Sequence, residues 1–230
     1  MKDPYVYENT NILINLANIK EQRLLNDYET TLSRIAIVEM LKNPFEISST
    51  KDIFIIHNKL FKEVYEWAGK PRTINIYKEE PVLNGLSVNY SDYDKIIRDL
   101  EEIQIEIDKC NINQLSKKEK IHKLTIIISK IWQVHAFREG NTRTVCIFLY
   151  FLMRKYDLKL NTDFIGNYSK YFRNALVLAS IGEYSEYQYL EEILSDATSI
   201  KTVINGETKY KTIKDYNLEK YEYSYHHIKK

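Results

Sequence analysis

Turn-forming residues are scarce in this chain. With 6 glycines and 4 prolines in 230 residues, it cannot punctuate the many short strands of an all-β domain, and helices joined by short polar loops are expected. Cysteine is scarcer still. Cys110 and Cys146 stand alone without CxxC spacing, which argues against a disulfide framework and a cysteine-based zinc site and fits a reducing compartment. Neither sign of charge is in excess: 33 Lys plus Arg face 32 Asp plus Glu, so no net field draws the chain onto nucleic acid or an anionic membrane. No apolar run approaches the roughly 18 residues of a spanning helix, and the opening MKDPYVYENTN has no apolar stretch behind its lysine. A cytoplasmic protein whose partners are neither nucleic acid nor membrane is the expectation.

What is present is a patterned core. With 44% hydrophobic and 28% charged residues, a chain of this length buries one sizeable core, and one main domain is expected. Ile121, Leu124, Ile128, Ile131 and Val134 recur at helical spacing, predicting a buried helix that runs into His135. After Thr144, VCIFLYFLM is apolar on every side and predicts a central helix wrapped by others. Further helices are read over roughly 17–42, 50–67, 91–109, 169–181 and 185–198. Two segments break the pattern. KPRTINIYKEEPVLNGLSVNY, from Lys70 to Tyr90, alternates in RTINIYK and carries turn residues at Pro81 and Asn84-Gly85, which predicts a β-hairpin. Asn205-Gly206 predicts a second over 201–213, ahead of a tail holding Tyr216, Tyr221, Tyr223 and Tyr225. Residues 1–198 are read as the domain and 199–230 as a C-terminal hairpin and tail.

Between the two core helices lies HAFREGNTRT, His135 to Thr144. A helix starting near Asn141 has first-turn N–H groups without intrahelical partners, and with the dipole behind them they form a ready anion site. Gly140 permits close backbone approach, and Arg138 and Arg143 add charge from the side. Glu139 is an odd neighbour for phosphates unless it holds Mg²⁺ that bridges their oxygens. His135, with an ordinary pKa of about 6.5, suits proton removal from an attacking hydroxyl. Together these parts describe metal-assisted transfer from a nucleotide. The alternative reading of Glu139 and Arg143 is a solvated salt bridge.

HAFREGNTRT resembles the Fic family motif HxFx(D/E)GNxR. YVYENTNILIN resembles the family's Y-x-Y-x-N-T start, HNKLFKEVYEWAGKPRTINIYK its H-x-x-(L/I)-F-x-x-x-Y-x-W-A-G-x-x-R block, and KYFRNALVLASIGEY the helix following the core. The resemblance implies a mainly α, Fic-type helical core with a β-hairpin flap at about 70–90 and a catalytic loop at 135–143. It implies AMPylation: AMP moves from ATP to a Ser, Thr or Tyr hydroxyl of a target protein, and pyrophosphate leaves; the chain's own 19 tyrosines leave self-modification open. By position, His135 is the general base, Phe137 packs inward to fix the loop, and Glu139 coordinates Mg²⁺. Gly140, Asn141, Thr142 and their amides surround the phosphates, with Arg138 beside them and Arg143 on the β or γ phosphate. Thr73, Ile74, Asn75, Ile76 and Lys78 of the flap receive the target as an added strand. Tyr171 and Ser180 fall at the adenine pocket.

The departures shape the remaining expectations. Ala136 replaces a common proline, Thr142 a common glycine, and Cys146 a second arginine that typically pairs with the glutamate of an inhibitory (S/T)xxxE(G/N) helix. No Ser or Thr here is followed four positions later by Glu. The expectation is a chain without an intramolecular inhibitory helix; a separate small antitoxin and self-association stay open. Two alternatives remain: a phosphoryl-transferring, Doc-like variant, against which stand Gly140 and Thr142, and a non-catalytic toxin–antitoxin module, against which stands the complete set His135, Glu139, Asn141 and Arg143. His57 is read as a core residue, Lys78 as solvated and Cys146 as packing.

Overall fold

Two consecutive helices carry the centre of the molecule, and the loop between them carries its polar chemistry. The computed structural model describes residues 3–199 together with Tyr216 and Leu218. Among these, the helices are α1 (Gln22–Lys42), α2 (Asp52–Phe61), α3 (Ile96–Asp108), α4 (Lys117–Val134), α5 (Asn141–Lys155), α6 (Thr162–Asn167), α7 (Ser169–Leu178) and α8 (Gln188–Ala197). α4 begins where Ser116 and Glu119 form a reciprocal capping box, satisfying two orphan N–H groups at once. It buries Ile121, Leu124, Ile127, Ile128, Ile131 and Trp132. α5 buries Val145, Ile147, Phe148, Leu149, Phe151, Leu152 and Met153, the all-round apolar helix that was expected. α4 packs on α3, α5, α7 and α8, while α2 lies between α1 and α5. None of these helices is long and apolar enough to cross a membrane.

α2 stops at Phe61, short of the expected 67, because Val64 and Tyr65 are both buried and the chain must turn to bury both. α6 was not foreseen: six residues lie below the length at which helical periodicity shows.

The expected β-hairpin over 70–90 is not formed. The turn is present as a 3-10 turn at Pro81–Leu83 with Asn84 and Gly85 at positive φ, and Glu80 N–H donates to Leu86 O at 3.0 Å. No ladder follows. Glu80 is drawn fully inside and Val82, Leu83, Val88 and Tyr90 are buried, so the arms are held by side chains rather than by each other. The single β-bridge among the described residues joins Val6 and Leu13. The second expected hairpin, over 201–213, lies outside the described residues.

Candidate active site

α4 ends by turning His135 into the left-handed region, φ 50° and ψ 55°, uncommon for a residue with a Cβ. The turn directs the imidazole inward. Its Nδ1 stands 3.3 Å from Trp132 O; a carbonyl only accepts, so Nδ1 carries the proton and Nε2 keeps its lone pair. Nε2 is buried and has no hydrogen-bond partner. Tyr90 packs its ring 4.0 Å from the imidazole and Trp132 meets it edge-on at 5.0 Å. The Tyr90 hydroxyl donates to Glu80 at 3.2 Å, and Arg173 of α7 clamps Glu80 through both oxygens at 2.7 and 3.1 Å.

Arg72 ties this end of α4 to the flap. It is buried, and its guanidinium donates to His135 O at 2.9 Å, to Ile74 O at 2.7 Å and to Ser91 O. Its own N–H donates to Ala136 O at 2.8 Å.

The loop closes on itself. Asn141 Oδ1 accepts from Phe137 N–H at 2.9 Å and its Nδ2 donates to Phe137 O at 2.7 Å, so this side chain braces the loop. Phe137 is buried, stacked 3.7 Å from His57, and fixes the loop as expected. Gly140 precedes α5 at φ 81°. A Cβ there would lie 2.4 Å from Phe61, which is itself fully buried. Gly140→Ala is therefore expected to cost about 2–4 kcal/mol, the strain of a left-handed alanine added to overpacking; an unchanged thermal midpoint would refute this account of the loop.

Thr144 N–H is the first in α5 to find an intrahelical carbonyl, that of Gly140 at 3.0 Å, which leaves the amides of Asn141, Thr142 and Arg143 as first-turn donors. The Gly140 N–H is taken: it donates to Glu139 Oε1 at 2.9 Å. Thr142 accepts from Trp132 Nε1 at 3.1 Å, so its hydroxyl anchors the helix start to α4. Arg143 pairs with Glu29 and donates to Ser33 at 3.0 Å, both on α1, while Tyr65 donates to Glu29 from the other side. The scan from Ser or Thr to Glu could not find this pair because it runs in reverse order, Glu29 before Ser33. Arg138 makes a two-toothed ion pair with Asp3 at 2.8 and 3.0 Å. Glu29, Tyr65, Arg138, Glu139 and Arg143 line one cavity of about 520 Å³.

Lys78 is not solvated as expected. Its Nζ lies 3.2 Å from Glu139 Oε2. Burial by itself would raise the Glu139 carboxyl, but Lys78, the Gly140 N–H and Arg143 outweigh it and hold it below the ordinary range. Thr73, Ile74, Asn75, Ile76 and Lys78 line a second cavity of about 540 Å³ with Asp3, Tyr77, Tyr93 and Arg138. Thr73 N–H donates to Tyr5 Oη at 3.0 Å, and Asn75 links to Asp92 and the Tyr93 N–H. Tyr171 and Ser180 line neither cavity. Ser180 is buried with its hydroxyl on Leu176 O and Ser129 O, and Tyr171 packs its ring on Tyr216; Arg173 is the α7 residue that reaches the site. Cys146, pushed up to about 11 by burial, supplies no charge in place of the missing arginine.

Both inner histidines are held neutral. Burial pushes His57 down to about 3. Burial, then Lys78, with Arg72 and Arg173 behind it, holds His135 well below 6.5. Unfolded histidines titrate near 6.5, so below that pH the unfolded chain binds more protons and stability falls as pH falls, by up to about 1.4 kcal/mol per unit for each histidine. Melting curves from pH 7 to 5 are expected to show this slope, shallower in His57→Gln; equal slopes would remove the assignment.

The fold and site define a helical domain with a buried neutral imidazole at the end of one core helix and free first-turn amides at the start of the next. Residues 47–153 match the model of the Fic/DOC family. It is 28% identical over 186 residues to "Protein adenylyltransferase VbhT" of Bartonella schoenbuchensis, an alignment covering 79% of this chain and 36% of that protein. This chain thus spans about a third of that relative's length. It is also 28% identical over 186 residues to "Probable protein adenylyltransferase y4lH" of Sinorhizobium fredii, covering 80% of this chain and 91% of that one. The solved BepC protein of Bartonella tribocorum, with bound AMPPNP, superposes with a TM-score of 0.69 at 20% identity, covering 84% of this chain and 95% of that chain.

Proposed function

We propose that this chain is a protein adenylyltransferase that transfers AMP from ATP to a Ser, Thr or Tyr hydroxyl of a target protein. The observation that carries the reading is the buried, unpartnered Nε2 lone pair of His135, in the same loop that ends on the first-turn amides of α5. Adenylyltransferase names on the relatives and AMPPNP in the BepC structure support it. The target oxygen attacks the α-phosphorus, its proton passes to His135 Nε2, and the bond to the β-phosphate oxygen breaks to release pyrophosphate. The amides of Asn141, Thr142 and Arg143 receive phosphate oxygens.

Glu139 would hold Mg²⁺. Its Oε1 is fixed by the Gly140 N–H and its Oε2 already faces a cation, Lys78; one carboxylate plus substrate phosphates is an ordinary Mg²⁺ set. The ion would supply neutralisation of the phosphate charge. Residues 75–77 of the flap have backbone groups with no backbone partner, an edge on which an extended target segment can pair.

Glu29 sits against the arginine assigned to phosphate. Glu29→Gln, which keeps shape and the Tyr65 contact but removes the charge, is expected to tighten ATP binding about 5-fold, roughly 1 kcal/mol; weaker binding in calorimetry would reverse the assignment. The test of the function itself is mass spectrometry of chain and candidate targets after incubation with ATP and Mg²⁺. An adenylyl increment that disappears in His135→Ala supports it, and a phosphoryl increment replaces it with the Doc-like reaction.

A further inference from the structure

His57 was read from sequence as a core residue, and the mechanism above does not use it. It is fully buried on α2, yet both ring nitrogens are engaged with opposite polarity. Gly69 N–H donates to Nδ1 at 2.9 Å, so the proton sits on Nε2, which donates to Glu139 O at 3.1 Å. The ring lies flat on Phe137, 3.7 Å away with 15° between planes, and tilts against Phe61 at 4.7 Å. Packing alone asks for none of this polarity; leucine or phenylalanine would fill the volume.

The carbonyl that His57 grips belongs to the peptide joining Glu139 to Gly140. That same peptide's N–H holds Glu139 Oε1 at 2.9 Å. The C=O and N–H of a trans peptide point in opposite directions from one rigid plane, so turning the plane would move the carboxylate along with the carbonyl. Gly140, at φ 81°, lacks the Cβ that would otherwise restrict that rotation. We propose that His57 is a positioning residue: by pinning the Glu139–Gly140 peptide it sets the direction of the Glu139 carboxylate and so its capacity to hold a divalent cation beside the nucleotide. This deepens the adenylyltransferase reading and rests on it for Glu139 as the holder of the cation and for the activity measurement.

Two variants separate positioning from packing. In His57→Gln the amide nitrogen takes the place of Nε2 and keeps the bond to Glu139 O. In His57→Asn the amide oxygen takes the place of Nδ1, keeps Gly69, and leaves Glu139 O without its donor. Mg²⁺ is titrated calorimetrically into wild type and both variants saturated with AMPPNP, alongside metal-free AMPPNP binding, thermal midpoints and transfer rates. His57→Asn is expected to weaken Mg²⁺ roughly 10-fold or more, as loss of a partner behind a metal ligand does, with kcat reduced at fixed Mg²⁺ and metal-free nucleotide binding unchanged. His57→Gln is expected to stay within about 3-fold of wild type for Mg²⁺. Equal Mg²⁺ affinity in the two variants, in either direction, overturns the proposal. If His57→Asn does not fold, the Nε2–H resonance of wild-type His57 decides: it is expected to shift when Mg²⁺ joins the AMPPNP complex and not with AMPPNP alone, and an unmoved resonance overturns the proposal. Absent transfer in wild type with separated Mg²⁺ affinities refutes the adenylyl reading and leaves the positioning role standing.

Discussion

His135→Ala is expected to lower the rate of AMP transfer by roughly 10²–10⁴-fold, the span that general-base catalysis supplies, with ATP affinity within about 3-fold of wild type. The reason is geometric. His135 makes no hydrogen bond to the first-turn amides or to Arg143, so its removal leaves the hydrogen bonds of the phosphate side intact. Its proton-accepting nitrogen is the one buried side-chain nitrogen or oxygen of the loop with no hydrogen-bond partner. The Trp132 carbonyl fixes the tautomer and Tyr90 the ring plane, so no other side chain presents a lone pair there. Because burial and Lys78 hold the group well below 6.5, the acidic limb of the rate profile should also fall below 6.5, and transfer should not drop between pH 7.5 and 6.5. Single-turnover rates across that range check both parts. A rate within 10-fold of wild type in His135→Ala would remove His135 from the reaction.

Arg72→Met carries the second large effect, on stability. Methionine replaces the aliphatic stem but strands His135 O, Ile74 O and Ser91 O in a site where Arg72 is 2% exposed. An unpaired buried carbonyl costs about 1–3 kcal/mol, and partial relaxation leaves a total of about 3–5 kcal/mol. For a domain of this size that lowers the thermal midpoint by about 10 °C. Arg72→Lys should recover part of it, since one ammonium reaches some of these carbonyls and cannot span them all. Transfer should fall in both variants below the unfolding temperature, because Arg72 links the flap to the end of α4. Midpoints within 2 °C of wild type would mean the carbonyls find water instead.

The loop and the helices around it were legible because each rests on local pattern. Helical spacing announced α4, and the all-round apolar run VCIFLYFLM announced α5; the Ser116–Glu119 capping box went unread. Gly140 at the turn and His135 at the helix end follow from the order of residue types, and Phe137 inside from the resemblance to the Fic motif. The flap was misread because RTINIYK alternates as a strand does, and alternation cannot show that Glu80 and Arg72 hold the arms from within. Tyr171 on α7 and Ser180 just beyond its end line neither cavity, because position along the chain does not reveal which face of a helix meets them. Glu29, 114 residues from Arg143, leaves no mark on the motif it pairs with.

From sequence alone came the fold class, the two central helices and the chemistry of the loop, since periodicity and motif spacing act over a few residues. Only the tertiary structure decided which partners the polar groups took: Asn141 turned back on Phe137, Thr142 on Trp132, Arg143 on Glu29, and Glu139 between Lys78 and the peptide that His57 grips. The physical reason is that a buried polar group must be satisfied, and its partner is whichever group packing brings near, a relation between distant residues that no short stretch of sequence contains.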